Sequence, residues 1–193
     1  MAGETVRILR EGAYTAADGA RVDIADAVRA CVALTTVVSA GAPLAAAPVR
    51  SRAETTAFEV VNERTLVAAQ RLVHAGYDAA ALVFASAKNP GGGFLRGAEA
   101  QEENIARSSG LYAALTTPAA CRAHYAAMQT EAKRDALYTD VLIHAPRCPV
   151  FRDEHGTLLS APWRVALLVA AAPNAGVAIA RDGADRARVK HAL

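Results

Sequence analysis

The segment NPGGGFLRGAEAQEEN, residues 89–104, places three consecutive glycines shortly before two consecutive glutamates. It follows DAAALVFASA at 78–87, a nearly continuous apolar run that predicts a strand buried on both faces of a sheet. It also contains the start of AQEENIARSSGLYAALT at 100–116, which predicts a helix. Open α/β sheets place their ligands at such strand-to-helix turns. The segment therefore predicts an α/β fold with a polar ligand lying against the glycine backbone.

Length and composition predict a single soluble domain. At 193 residues the chain suits one domain with a substantial core. Its longest apolar runs, such as 165–173, fall well short of the roughly 20 residues of a membrane span. Charges scattered through the N-terminus argue against a signal peptide, and three widely spaced cysteines fit neither a disulfide framework nor a zinc site. We expect a cytoplasmic protein without a membrane partner.

The charge balance excludes binding that is driven by the overall electrostatic field alone. Lys and Arg number 21 and Asp and Glu 19, which gives a formal net charge of +2. An anionic ligand must therefore be held by local groups. The five histidines lack ligand spacing, and the sequence has no cluster of carboxylates typical of a metal site. We therefore expect no metal and no cofactor.

Hydrophobic periodicity, glycines and prolines divide the rest of the chain into helices and strands. A strand at 55–61, a helix that Asn62 caps and Gly76 ends, and the strand at 78–87 predict a right-handed βαβ unit. The stretch at 35–49 predicts a loop. The other predicted elements are helices at 4–14 ending near Gly12, at 25–35, at 121–129 and from Asp182 onward, and strands at 21–24, 139–146 and 163–173, with an irregular or hairpin connection at 148–159.

Two common phosphate-binding loops do not fit the glycine stretch. A Walker A loop requires Lys and Ser or Thr after its last glycine, whereas Phe94 and Leu95 follow Gly93. A dinucleotide fingerprint that starts at Gly91 requires glycine where Arg96 stands. Taken separately, the glycines are typical of a mobile loop and the glutamates of a solvated first helical turn. Their joint placement between a buried strand and a helix favours a binding site.

The pattern Gly-Gly-Gly, seven residues and then Gln-Glu-Glu resembles the signature of the poly(ADP-ribose) glycohydrolases. FASAKNPGGGFLRGAEAQEE is similar to their bacterial-type branch, and so, at matching distances, are DAVRACVALT, CPVFRDEHGTLL and APNAG. The resemblance implies a macrodomain-like three-layer α/β/α sandwich with a central mixed sheet and ADP-ribose in a cleft at the strand ends. It also implies hydrolysis of ribose–ribose glycosidic bonds in poly(ADP-ribose), release of ADP-ribose, and poly(ADP-ribosyl)ated proteins as partners.

The paired glutamates are expected to have different roles. Neighbouring side chains on a helix diverge by about 100°, so Glu102 and Glu103 cannot flank a bond as the two carboxyl groups of ordinary glycosidases do. The resemblance implies that Glu103 is the catalytic acid and later activates the water, and that Glu102 binds ribose hydroxyls. Glu103 must then hold a proton near neutral pH, which burial and the charge of Glu102 favour and the helix dipole opposes.

The remaining candidates are assigned to ligand binding. Without Cβ atoms, the three glycines can adopt positive φ and turn their N–H groups toward the diphosphate and ribose. The resemblance implies that Asn89 hydrogen-bonds the terminal ribose. Gln101 positions the helix start or a ribose, and Phe94 either packs beneath the loop, the stronger alternative, or contacts the ligand. The ligand-binding candidates are Asn89, Gly91, Gly92, Gly93, Phe94 and Gln101.

Two alternatives to cleavage of the polymer stay open. A macrodomain reader binds ADP-ribose without cleaving it and does not need Glu103. A mono-ADP-ribosyl hydrolase shares the fold and the glycine loop but normally lacks the paired glutamates.

In the family a further glycine-rich segment with an aromatic residue follows the last helix, whereas this chain ends within a helical pattern. We therefore expect residues 1–193 to be a single catalytic domain that lacks its C-terminal portion, a fragment that would supply the adenine contacts.

Overall fold

The computed structural model describes residues 1–42, 56–131, 138–172, 176 and 179–180. Its helices are α1 (Ala2–Glu11), α2 (Ala25–Leu34), α3 (Thr65–His74), α4 (Gln101–Ser108), α5 (Leu111–Thr116) and α6 (Ala119–Glu131). Its strands are β1 (Ala13–Thr15), β2 (Arg21–Asp23), β3 (Thr36–Val38), β4 (Ala80–Phe84), β5 (Leu142–Arg152) and β6 (Leu158–Ala170). One 3₁₀ turn covers Phe94–Arg96.

A four-stranded mixed sheet organises the described part of the chain. The strand order is β3-β5-β6-β4, with β4 parallel to β6 and the other two pairs antiparallel. The short strands β1 and β2 pair with each other as a separate antiparallel ribbon. Helices pack against the sheet around one large hydrophobic cluster. The prediction of an α/β fold with a mixed sheet is confirmed.

The hairpin of β5 and β6 forms the centre of the sheet. Its turn is closed by the Asp153 carboxylate, which accepts the N–H groups of His155 at 2.9 Å and Thr157 at 2.8 Å. Pairing continues almost to this turn, so the predicted connection at 148–159 is a hairpin whose strands are longer than predicted. One face of β6 is buried in the core through Trp163, Val165, Leu167 and Val169.

Helix α1 ends at Gly12, as the sequence predicts. Gly12 has a φ of 71° and donates its N–H to the Ile8 carbonyl at 2.8 Å, a common left-handed helix end. A Cβ at this position would lie 2.6 Å from the Cβ of Ala25 in α2. Glycine therefore permits both the end of α1 and its close approach to α2.

The helix that carries the two glutamates packs directly on the core. Ile105 and Ala106 of α4 are buried in the large cluster together with Leu111 of α5. Fully burying a side chain such as isoleucine stabilises a fold by roughly 1.5–3 kcal/mol. This packing fixes the rotation of α4 about its axis, and with it the direction in which Glu102 and Glu103, both buried, present their carboxylates.

The prediction of a strand at 55–61 is wrong for its described part, 56–61. These residues form neither helix nor strand, and the side chains of Phe58 and Val60 are 92% and 99% exposed. Aromatic and β-branched residues favour a strand only where they pack against neighbouring strands. None of the described strands lies beside this segment. The predicted βαβ unit is therefore wrong in its first strand.

Strand β4 is shorter than the apolar run that predicts it, and it is buried on one face only. Ala81 and Val83 are buried, whereas Leu82 and Phe84 are 48% and 67% exposed. Among the described strands, β4 pairs only with β6. It is an edge strand of the described sheet, so the prediction of two buried faces is wrong here.

Other boundaries in the first half of the chain also differ from the prediction. Helix α3 starts at Thr65, with Arg64 and not Asn62 at the N-cap position. The predicted loop at 35–49 begins with strand β3, because residues 36–38 pair with β5.

The predicted helix at 100–116 is two helices. Ser109 interrupts it, since its hydroxyl donates to the Ile105 carbonyl at 2.7 Å and accepts the Leu111 N–H at 3.2 Å. These local bonds replace helical ones. The short helix predicted at 121–129 is the longer α6, and the helix predicted from Asp182 lies outside the described residues. None of the described helices is long and apolar enough to cross a bilayer.

Candidate active site

The loop after β4 turns at its glycines. Gly91 and Gly92 have φ values of 70° and 61°, in the left-handed region that glycine reaches without steric cost. Gly93 has a φ of −101°. The prediction of positive φ is therefore confirmed for the first two glycines and wrong for the third. A Cβ on Gly93 would lie 2.9 Å from the Ala98 Cβ, so lack of space accounts for glycine at this position.

Both glutamate carboxylates lie against Gly92. A Cβ on Gly92 would collide with Glu103 Oε1 and lie 2.9 Å from Glu102 Oε2. The two acidic side chains are 3% and 8% exposed for Glu102 and Glu103 respectively. The glycine thus leaves the space in which two carboxyl groups come together below the surface of the loop.

The two carboxylates accept hydrogen bonds from different backbone groups. Glu102 Oε2 accepts the Ser86 N–H at 2.6 Å, and Glu103 Oε1 accepts the Gly93 N–H at 2.8 Å. The expected divergence of neighbouring helical side chains is seen in these different partners, although both carboxylates also contact Gly92. The loop and the first turn of α4 are therefore held together by the acids themselves.

Glu102 has the more unusual electrostatic environment of the pair. Burial raises the pKa of its carboxyl to about 7; the Ser86 N–H opposes this rise, the charge of Glu103 adds to it, and the Gly91 N–H opposes it. Its Oε1 is buried and accepts no hydrogen bond within the described part of the chain. A buried oxygen without a donor is costly unless a ligand or water supplies one.

Two of the three glycine amides have acceptors within the loop region. The Gly92 N–H donates to the Asn89 carbonyl at 2.9 Å, and the Gly93 N–H donates to Glu103. The predicted contacts of the three glycines with the diphosphate and ribose stay a prediction. Their role here is to shape the loop and to hold an acid.

Gln101 anchors the start of α4 to the edge of the sheet. Its Oε1 accepts the Phe84 N–H at 2.8 Å, and its Nε2 donates to the Leu82 carbonyl at 2.8 Å and to Thr65 Oγ1 at 3.1 Å. A neighbouring strand would make the same pair of bonds to β4. Of the two roles predicted for Gln101, the structure supports positioning of the helix start.

Ser86 is a site residue that the sequence analysis missed. Its hydroxyl accepts the N–H groups of Lys88 at 3.3 Å and Asn89 at 3.1 Å, and its own amide holds Glu102. A small hydroxyl residue between a strand and a glycine turn is the signal that would have found it. The Asn89 side chain is exposed at the outer side of this turn, and its predicted contact with ribose stays a prediction.

Phe94 belongs to the core. Its side chain is 1% exposed and meets the Tyr112 ring edge-on, with 4.8 Å between the ring centroids. A Cβ on Gly91 would lie 3.1 Å from the Phe94 ring. The stronger sequence alternative is confirmed, and the assignment of Phe94 to ligand binding is wrong for this structure because the ring has almost no accessible surface.

A cavity lies on the other side of α4 from the carboxylates. It has a volume of about 500 Å³, and Thr65, Gln101, Asn104 and Arg107 contribute to its lining. Gln101 links it to the edge of β4. No group of three or more His, Cys, Asp or Glu within the described ranges is arranged to hold a metal ion.

Comparison with known proteins assigns this geometry to a family. A family model of the microbial-type PARG (poly(ADP-ribose) glycohydrolase) catalytic domain matches residues 2–153. No curated protein is significantly similar to the chain.

Solved structures agree with the family model. The poly(ADP-ribose) glycohydrolase of Thermomonospora curvata is 44% identical with a TM-score of 0.83, over 99% of this chain and 69% of that one. The enzyme of Deinococcus radiodurans in complex with ADP-ribose is 35% identical with a TM-score of 0.68, over 86% of this chain and 65% of that one. The predicted macrodomain-like fold and glycohydrolase resemblance are confirmed, and the chain belongs to the family of microbial-type poly(ADP-ribose) glycohydrolase catalytic domains.

Proposed function

We propose that this poly(ADP-ribose) glycohydrolase cleaves the ribose–ribose bond with Glu103 as its single acid and base, while Glu102 binds ribose hydroxyls. The observation that carries the proposal is the convergence of both carboxylates on Gly92. Two acids on the same side of one loop cannot take opposite faces of a sugar, where paired glycosidase carboxyls stand roughly 5–9.5 Å apart. One of them must therefore do both proton transfers.

The hydrogen bonds of Glu103 support its role as the acid. Oε1 is occupied by the Gly93 N–H, and no hydrogen bond from the described residues reaches Oε2. A proton on Oε2 can pass to the ribose oxygen that leaves, as the bond from that oxygen to the anomeric carbon breaks. The resulting carboxylate then takes a proton from water while the water oxygen bonds to the oxocarbenium-like carbon, which regenerates the acid.

The orphaned oxygen of Glu102 supports its role as a ribose ligand. Oε1 is buried without a donor, and a ribose hydroxyl is a donor of the right size. Donation to Oε1 favours the ionised carboxylate, so bound ribose would lower the pKa of Glu102 from its value of about 7. Asn89, exposed at the loop, is proposed to hold the terminal ribose, and its side chain needs no rearrangement of the core to reach a ligand.

The test compares wild type with Glu103→Gln on labelled poly(ADP-ribose), with ADP-ribose binding measured by calorimetry. Glutamine keeps an oxygen for the Gly93 N–H but has no proton to give. We expect a loss of roughly 10²–10⁴-fold in turnover with binding retained. Glu102→Gln is the matched control, and it is expected to weaken ADP-ribose binding in addition to turnover. Binding by wild type without cleavage would contradict the proposal and indicate a reader, and release of only single protein-linked ADP-ribose groups would indicate a mono-ADP-ribosyl hydrolase.

The setting of the enzyme is part of the proposal. Cys31, Cys121 and Cys148 are free and buried, which fits the reducing cytoplasm. Poly(ADP-ribosyl)ated proteins are the proposed partners, since the polymer is attached to proteins. A single catalytic domain at 1–193 also stays a proposal.

A further inference from the structure

A second cavity lies at the opposite end of β4 from the glycine loop. Its volume is about 360 Å³, and its lining includes Tyr77 and Asp78 before β4, His144 and Arg147 of β5, and Arg164 of β6. This volume is within the usual range of small-molecule sites. The five residues of β4 separate it from the catalytic loop by roughly 13 Å of strand. It is therefore distinct from the site described above.

Two arginines give this cavity its positive charge. Arg147 and Arg164 are both exposed, and within the described residues neither has a carboxylate within 4 Å. In contrast, Arg7, Arg71 and Arg152 are each paired with a glutamate. Guanidinium groups bind phosphate oxygens in a bidentate manner. Two of them without acidic partners in one cavity are complementary to a diphosphate.

The backbone of β5 brings Arg147 to the cavity through a β-bulge. The register with β6 shifts between Ala145 and Cys148, and Arg147 has a φ of 53°. A side chain other than glycine in this region costs roughly 1–2 kcal/mol. Bulges re-aim side chains and are frequent beside functional sites. Without the bulge, regular pairing would give the Arg147 side chain a different direction.

The other lining groups favour a nucleotide over a bare phosphate. The Tyr77 side chain is 66% exposed, and stacking of a base on an aromatic ring contributes roughly 1–3 kcal/mol. Asp78 beside it would repel an isolated phosphate, but its carboxylate can accept a hydrogen bond from a ribose hydroxyl or a base amino group. The lining thus offers a partner for each part of a nucleoside diphosphate.

We propose that this cavity is a second binding site, which holds an ADP-ribose unit of the polymer away from the unit being hydrolysed. Each unit carries a diphosphate for the arginines, an adenine for Tyr77 and ribose hydroxyls for Asp78. The proposal rests on the proposed function, because only a polymeric substrate presents a second unit to the same chain. Its consequence is tighter binding of long chains than of short ones.

The test uses Arg147→Asn combined with Arg164→Gln, because asparagine tolerates positive φ. The control, Arg10→Gln with Arg21→Gln, also removes two positive charges, but from exposed positions on α1 and β2. Hydrolysis is measured on the dimer of ADP-ribose and on fractionated long polymer, and ADP-ribose binding to each protein is followed by calorimetry. We expect KM for the long polymer to rise at least about tenfold in the test variant, since tenfold is the effect of losing a single charge-assisted hydrogen bond. The KM for the dimer and the values of the control should stay unchanged.

Every outcome decides the proposal. An unchanged KM for the long polymer, an equal rise for both substrates, or an equal rise in the control would overturn it. If wild type cleaves neither substrate, the proposed function has failed. Calorimetry alone then tests whether the cavity binds ADP-ribose. A weak ADP-ribose binding event that wild type and control share and the test variant lacks supports the second site. Absence of that event from wild type overturns it.

Discussion

The segment at 56–61 before α3 is richer in apolar residues than the loop after β4, and the two differ sharply in structure. In the loop region, backbone amides, two acids and Gln101 satisfy one another within about 20 residues of chain. In the segment at 56–61, Phe58 and Val60 are almost fully exposed and form no strand. The comparison shows that order in this chain follows from local partners and not from hydrophobicity alone.

Among the variants that test this comparison, the largest expected effect follows from filling the space at Gly92. Gly92→Ala would drive a Cβ into Glu103 Oε1 and onto Glu102, so we expect activity to fall roughly 10²-fold, as a displacement of about 1 Å of a reacting group does. The free energy of unfolding should also fall by more than the roughly 1–2 kcal/mol that positive φ costs alanine. Hydrolysis rates and chemical denaturation measure the two effects.

Gly19→Ala is the matched control for that substitution. Gly19 has a φ of 87°, and a Cβ there meets nothing within 4 Å. It therefore carries the cost of positive φ without the collision. Equal losses in both variants would show that the carboxylates do not lie tightly against the loop, and the contrast between the two regions would lose its basis.

A medium effect on stability is expected from the buried carboxyl of Glu102. Its pKa rises from the ordinary value of 4.5 to about 7 in the folded protein. The folded state holds this proton more tightly than the unfolded chain. Its contribution to stability is therefore full below pH 4.5 and is lost as pH rises through 7. The loss is about 3 kcal/mol at most.

Glu102→Gln removes this titration. The unfolding free energy of wild type and variant is measured by denaturation from pH 4 to 8. As pH rises, wild type should lose stability relative to the variant. Groups common to both proteins cancel in the difference. A difference that stays constant across this range would mean that Glu102 is not desolvated in the folded enzyme.

Features with local causes could be predicted from the sequence. The end of α1 at Gly12 and the strand-to-helix turn with its glycines follow from residues that set their own backbone angles or bond their near neighbours. The family signature also placed both glutamates at the start of α4. The convergence of their carboxylates on one glycine was not predictable, because it depends on how α4 is rotated by Ile105 in the core.

Features that depend on distant partners were predicted less well. A strand at 55–61 and a doubly buried β4 both require neighbouring strands that the apolar pattern cannot specify. The role of Gln101 depends on the free edge of β4, to which it supplies the bonds of a missing neighbour. The cavity at Arg147 depends on a bulge in β5. Neither residue type nor spacing predicts this bulge.

The smallest expected effect is at Val60, which is 99% exposed. Val60→Ser removes apolar surface that is already in water, so the free energy of unfolding should change by less than about 0.5 kcal/mol. Val83→Ala is the contrasting control, because Val83 in β4 is 0% exposed and its truncation leaves a cavity that costs roughly 1–3 kcal/mol. Denaturation of both variants measures the difference. A loss at Val60 as large as that at Val83 would mean that the segment before α3 is buried in solution, and the two regions compared here would then follow the same rule.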